Sequence, residues 1–246
     1  MKSGVRKAVR IVAAIALITS LCVLGFYLWD DSNSRRVSDK LDELKENREE
    51  VVVRNVLDEY AALYSENPDT IGWLKIDGTN IDNVVMYAPN EIDKYLRADF
   101  YGEYSTAGCL FISEGCDIEH SDNLIIHGHN MKNGSMFGTL PYYNSEDFYK
   151  SHKTFRFDTI YEKQTYEVVA AIYTAIPPED EDTFRYYQYF ESGDSKKFNE
   201  YKKLIEENKI YDTGVEINEG DKLLTLTTCA YHTTDGRFVV VARKIA

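Results

Sequence analysis

Between Ile11 and Trp29 the chain carries 19 consecutive residues without a charge (IVAAIALITSLCVLGFYLW). As a helix rising about 1.5 Å per residue, such a run just spans a hydrocarbon core of about 30 Å. Lys2, Arg6, Lys7 and Arg10 all precede it, and Asp30-Asp31 follow. The positive-inside bias predicts a cytoplasmic N-terminus, with everything after residue 29 outside. Tyr27 and Trp29 fall where interfacial aromatics gather. A cleaved signal peptide is the competing reading, but the run is long for one and no small-x-small site follows it. Either way residues 30–246 leave the cytoplasm. Cys22, inside the run, reads as a small apolar residue.

This partition explains the charge. The formal net charge of −13 divides into +4 before residue 30 and −17 after it. An acidic exported domain argues against nucleic-acid binding, which wants a basic face. A hydrophobic content of 43% is enough to build a core. Four cysteines are too few for a disulfide scaffold at this length. The organisation predicted is a cytoplasmic tail over 1–10, a signal-anchor over 11–29, a helical stalk or N-terminal helices over 30–66, and one catalytic domain over 67–246.

Residues 37–64 read as helix, with Val37, Leu41, Leu44, Val51/Val52, Val56, Tyr60 and Leu63 recurring at spacings of three and four. Asn67-Pro68-Asp69 ends it. From Ile71 the period shortens to that of strands. Strands are predicted at 71–77, 81–87, 108–113, 123–127, 154–158, 166–176, 222–229 and 238–245. A short helix is predicted over Ser135–Tyr143 and a long amphipathic one over Asp194–Lys209. Many short strands with helical insertions point to a mostly β fold, a β-barrel with helical additions.

Two segments carry chemistry. One is Asn123-Leu-Ile-Ile-His127-Gly-His129-Asn130, an apolar strand ending at a glycine flanked by histidines. The other is Leu224-Thr-Leu-Thr-Thr-Cys229, followed by a loop and Arg237-Phe-Val-Val-Val. Thr225, Thr227 and Cys229 share one strand face. If the two strands pair antiparallel, Cys229 and Arg237 face each other across the loop mouth. A thiol beside a guanidinium sits in the electropositive setting that makes cysteine reactive. An added histidine completes a nucleophile, a proton carrier and an oxyanion donor. Cys109, Cys116 and His120 upstream make a zinc site or a Cys109–Cys116 disulfide conceivable, but no C-x2-C or HExxH spacing is present. His152 and His232 read as solvated.

The pattern Gly128-His129-Asn130, Met136-Phe137-Gly138 and Leu140, followed by TLTTC and a downstream arginine, resembles the sortases, membrane-anchored cysteine transpeptidases of Gram-positive bacteria. The likeness covers roughly residues 70–246. Three features resemble class B: the helical segment before the barrel, the long helix over 194–209 before the last strand pair, and Tyr95-Leu96…Asp99-Phe100 followed by Gly108-Cys-Leu-Phe. The resemblance implies a closed eight-stranded barrel and assigns the catalytic roles to Cys229, His129 and Arg237. It selects His129 because the family's histidine follows the glycine; strand alternation alone leaves His127 open. Thr227 stands where class B usually has serine, and Ala230 where many members have a polar or acidic residue.

The implied reaction cleaves a C-terminal sorting motif of a secreted protein after threonine and transfers the acyl group to a peptidoglycan amine. No cofactor or metal is implied. Leu96, Thr227 and Tyr187, the last within the aromatic segment Phe184–Tyr189, are candidate substrate contacts. The motif stays open between NPxTN-like and SPxTG-like pentapeptides. Three alternatives differ in kind. Pilin polymerisation would use a protein lysine as acceptor. An L,D-transpeptidase-like enzyme would want its arginine two residues past the cysteine, not eight. A tethered binding domain would use the cysteine structurally.

Overall fold

The computed structural model describes residues 2–46, 55–178, 180–181, 183–191 and 193–246. The chain divides into two compact units, one ending at Lys40 and one spanning Leu41–Ala246.

The described residues of the first unit are helical. Helix α1 runs from Lys2 to Glu46 without interruption, so the apolar run and the charged segment behind it form one element. No glycine or proline lies between Asp30 and Glu46, and Arg35 pairs with Asp31 one turn away at 2.7 Å. Inside the apolar run, Thr19 and Ser20 turn their hydroxyls back onto the carbonyls of Ile15 and Ala16. Their polar atoms are thereby satisfied within the helix, as a lipid setting requires. By length and composition α1 can cross a membrane.

The helix read over 37–64 is two elements. Residues 37–46 finish α1, and α2 spans Asp58–Glu66. Val51 and Val52, two positions of that pattern, lie outside the described residues. α2 buries Tyr60, Ala61 and Leu63 and stops at Asn67, as the Asn-Pro-Asp sequence requires. At the end of α1, Leu41 is buried and the Lys45 ammonium lies 3.8 Å above the Trp73 ring.

Eight strands close a barrel: β1 Thr70–Lys75, β2 Asp82–Met86, β3 Leu110–Ile112, β4 Asn123–His127, β5 Thr154–Thr159, β6 Thr165–Ala175, β7 Leu223–Cys229 and β8 Gly236–Lys244. Their order around it is β1-β2-β3-β4-β7-β8-β6-β5, with β5 returning to β1. Pairs β2–β3 and β4–β7 are parallel and the rest antiparallel. A closed barrel leaves no strand edge to protect.

Each predicted strand is present within a few residues of its expected ends. Residues 135–143 differ: they form a turn leading into a 3-10 helix over Leu140–Asn144, because Pro141 denies an α-helix its donor. A short helix α3, Glu146–Ser151, follows where none was predicted, capped by Ser145 Oγ accepting from the Phe148 amide.

Helix α4, Ser195–Asn208, lies between β6 and β7 in sequence and packs on the barrel's outer face. Phe198, Tyr201 and Ile205 meet Val169, Ile172, Val239 and Val241. The buried positions of β6 and β8 therefore alternate between two apolar layers, the barrel interior and the face beneath α4.

Candidate active site

The register of β7 and β8 sets Cys229 directly opposite Arg237. β8 also pairs with β6, where Arg237 faces Thr174. Cross-strand partners share a sheet face, so Cys229, Arg237 and Thr174 form one row at the end of the sheet. The row below is Thr227, Val239 and Ile172. It is roofed by the segment before α4, where the Tyr186 hydroxyl lies 2.8 Å from Thr227 Oγ1. The nucleophile row lies just beyond this roof, and the Cys229 thiol is part-exposed and free.

The histidine segment is stitched to the same strand end. β4 runs parallel to β7 with His127 opposite Thr227, and the Gly128 amide continues the ladder to the Thr227 carbonyl at 3.2 Å. Thr228 Oγ1 donates back to the Gly128 carbonyl at 2.7 Å. Asn130 Nδ2 donates to the Cys229 carbonyl at 2.9 Å. A side chain at Gly128 would collide with Leu110 and Phe137, at 2.4 and 2.6 Å from an added Cβ. Glycine there lets the chain leave β4 tightly enough for Asn130 to reach the Cys229 carbonyl at the end of β7.

The two histidines have different surroundings. His127 stacks on Phe111, with ring centroids 5.3 Å apart. Desolvation, assisted by the positive charge of Arg237, lowers its pKa to about 4, so it is neutral at pH 7. His129 places Nε2 2.9 Å from the Leu96 carbonyl. A carbonyl only accepts, so Nε2 carries the proton and Nδ1 is left to take one. Burial lowers the His129 pKa below its ordinary value, the Leu96 carbonyl opposes this, and Arg97 adds to it.

The Leu96 carbonyl is itself held firmly. Lys94–Leu96 is a 3-10 turn. Tyr95 accepts from Asn67 at 2.9 Å and donates to Asp69 at 2.8 Å, and Lys94 pairs with Asp69 at 2.9 Å. The Asn67-Pro68-Asp69 stop of α2 thus also anchors the turn that orients His129. Gly108, at φ +60°, passes so close that an added Cβ would lie 2.4 Å from the Tyr95 oxygen and 2.7 Å from that of Leu96.

Arg237 donates Nη1 to the carbonyls of Gly236 and Asp235 at 3.0 and 3.3 Å. Of the candidate substrate contacts, Leu96 and Tyr187 are part-exposed, with Tyr187 edge-on to Tyr186 at 5.2 Å. Thr227 is buried and its hydroxyl is engaged by Tyr186. His232 sits in the exposed β7–β8 loop, edge-on to Tyr173. His152 is half-buried and stacked on Phe148. Cys109 and Cys116 are buried, unpaired thiols; burial pushes the Cys116 thiol up to about 12 and Cys109 higher still. Among the described residues no group of three or more His, Cys, Asp or Glu could hold a metal ion.

The sequence reading included Asn130 and Tyr186 within its motifs and Tyr201 on a helix face, but gave none of them a role at the site. Thr225 bonds the Tyr201 hydroxyl at 2.6 Å and Asn123 Oδ1 at 2.8 Å. The two in-phase threonines before Cys229 therefore tie α4 and the segment before it to the nucleophile strand. That alternation was the available signal.

A barrel with a part-exposed thiol across from an arginine, and a histidine held at the same strand end, is the architecture of a cysteine transpeptidase of the cell wall. Residues 74–245 match the Sortase domain, and the chain belongs to the sortase family. Its relatives put it in class B. It is 29% identical to sortase B of Listeria monocytogenes over 232 residues, covering 93% of this chain and 91% of the relative. It is 27% identical to sortase B of Staphylococcus aureus, covering 95% and 96%. Among solved structures, sortase B from B. anthracis in complex with AAEK1 superposes with a TM-score of 0.74 at 28% identity, over 89% of this chain and 99% of that one. A Staphylococcus aureus sortase B–substrate complex gives 0.70 at 25% identity, over 88% and 96%. The protein is a cysteine transpeptidase of cell-wall sorting, acting on sorting-motif substrates and a cell-wall amine. The family match favours neither pilin polymerisation, nor an L,D-transpeptidase-like enzyme, nor a non-catalytic tethered domain.

Proposed function

We propose that Cys229, His129 and Arg237 carry the reaction. The observation that carries this reading is the register pairing Cys229 with Arg237, at the strand end to which Asn130 binds the histidine segment. His129, neutral at rest, accepts the Cys229 proton as the sulfur attacks the threonine carbonyl of the sorting motif. Arg237 swings its remaining N–H groups from the loop to the developing oxyanion, which lysine would match poorly. His129 returns its proton to the leaving amine, giving a thioester. A peptidoglycan amine then attacks, and its proton passes to His129 as the C–S bond breaks. Leu96 and Tyr187 line the approach of the acyl donor, and Thr227 shapes its floor through the Tyr186 bond.

α1 anchors the protein with its N-terminus in the cytoplasm and residues 67–246 on the wall side as the catalytic domain. The basic residues before the apolar run, and none within it, support this orientation.

The test is cleavage of a sorting-motif peptide library, with transfer to an amine, by the full chain. Cys229→Ala should abolish both activities, and Arg237→Lys should lose most activity while keeping its fold. Full activity in Cys229→Ala would sink the assignment. An inactive His127→Ala beside an active His129→Ala would reassign the histidine. For orientation, Ser3→Cys in a Cys22→Ala/Cys229→Ala background should react with an impermeant maleimide only after cells are permeabilised.

A further inference from the structure

A transpeptidase must admit two substrates to one carbonyl carbon. Leu96 and Tyr187 are proposed above for the acyl donor. The Cys229–Arg237–Thr174 row runs, at Thr174, into a groove of about 1110 Å³. Thr174 begins its floor, Thr234 and Asp235 of the β7–β8 loop form its near end, and α4 forms its far wall. Strands lie about 4.8 Å apart, so Thr174 is about 10 Å from the nucleophile strand. The groove therefore starts within reach of a small substrate whose end group sits at Cys229.

Its walls carry one predominant charge. Among the described residues Glu181, Glu200, Glu207 and Asp235 line it with Lys203, and the Arg185 guanidinium donates to the carbonyls of Pro178 and Glu181 at its edge. Lys203 lies 3.7 Å from Glu207 and offsets only part of this charge. Its apolar lining comes from residues 175–178 and from Phe184 and Leu204, the last two packing down onto the cluster beneath α4. Among the described residues, no three acidic groups come close enough to hold a metal ion. Carboxylates spread along a groove fit an extended, cationic ligand better than a point ion.

We propose that this groove docks the acceptor, a short peptide strand ending in a primary ammonium, and delivers that end past Asp235 to the thioester. The proposal rests on the transpeptidase reading above and names where its second substrate binds. The carboxylates hold the ammonium form and concentrate it near Cys229. Before attack the ammonium releases one proton to solvent. As nitrogen bonds to the acyl carbon, the second proton passes to His129 and Cys229 leaves as thiolate, so the C–S bond breaks as the C–N bond forms.

The experiment uses the full chain in detergent, a sorting-motif peptide as donor and triglycine amide as acceptor. Glu200 and Glu207 stand on the solvent side of α4, outside the proposed chemistry. Glu200→Gln/Glu207→Gln should raise KM for triglycine amide about three- to tenfold, as expected for removing two exposed charge contacts. Donor cleavage without acceptor should be unchanged. Lys203→Gln should lower the acceptor KM. Raising salt should raise the acceptor KM of the unaltered enzyme more than that of the double variant. An unchanged acceptor KM in the double variant overturns the proposal, as does a rise in donor KM alone. Loss of the parent reading would look different, since donor cleavage would then survive Cys229→Ala.

Discussion

The side-chain amide of Asn130 donates to the carbonyl of Cys229 at 2.9 Å. One hydrogen bond thus joins the residue after the proposed proton carrier to the backbone of the proposed nucleophile. It spans 99 positions of sequence. Asn130→Ala should lower kcat about tenfold or more with little change in donor KM, because it loosens the segment carrying His129 from the strand end that carries Cys229. The loss of stability should stay near 1 kcal/mol, the net worth of one such bond. Steady-state kinetics beside urea unfolding checks both; a change in KM alone would show that the bond serves substrate binding instead.

The Tyr186–Thr227 bond is buried, so cutting one end leaves the other unsatisfied. Tyr186→Phe and Thr227→Val should each destabilise the domain by about 1–3 kcal/mol. The double substitution should cost less than the sum of the two. A double-mutant cycle by chemical denaturation measures the coupling, and additive losses would mean that the two hydroxyls do not interact.

His127 makes stability depend on pH in a defined window. Its folded pKa, about 4, lies below its ordinary value near 6.5. Between these values the unfolded chain binds the proton and the folded chain does not. Its contribution is therefore fully present above about pH 6.5 and falls with acid by up to about 1.4 kcal/mol per pH unit. Below about pH 4 the loss levels off. His127→Gln should flatten the slope in that window. In an NMR titration, Arg237→Ala should raise the His127 pKa by removing the cation that helps to depress it.

Gly108 leaves no room for a side chain against the carbonyls of Tyr95 and Leu96. Gly108→Ala forces a left-handed alanine, costing about 1–2 kcal/mol, and pushes on the carbonyl that binds His129. Activity should fall at least about tenfold through that misplacement. The His129 resonance should shift in the same variant. Normal turnover together with a lowered melting temperature would confine the effect to folding.

Much of this protein was legible one residue at a time. A charge-free run of 19 residues specified a helix able to cross a membrane, and the period-two segments after Ile71 specified the strands. The alternation Thr225, Thr227, Cys229 and the phase of Arg237, Val239 and Val241 anticipated the register that joins Cys229 to Arg237, because a strand's period of two is a local property. Where the turn-forming Pro141 intervened, the expected helix over 135–143 gave way to a 3-10 turn.

Closure of the barrel, the parallel contact of β4 with β7, and the fate of the threonine hydroxyls belonged to the tertiary structure. Neighbours far apart in sequence have no local pattern that names them. His127 and His129 have the same alternation, and only packing gives one the Phe111 ring and the other the Leu96 carbonyl. The acidic groove beside Thr174 is likewise assembled from α4, the end of β6 and the β7–β8 loop. Charge composition is additive along the chain, so the sequence determined that the domain following the apolar run would be acidic. A concave surface exists only once separate segments are brought together, so the fold decided where that charge would face the row containing Cys229.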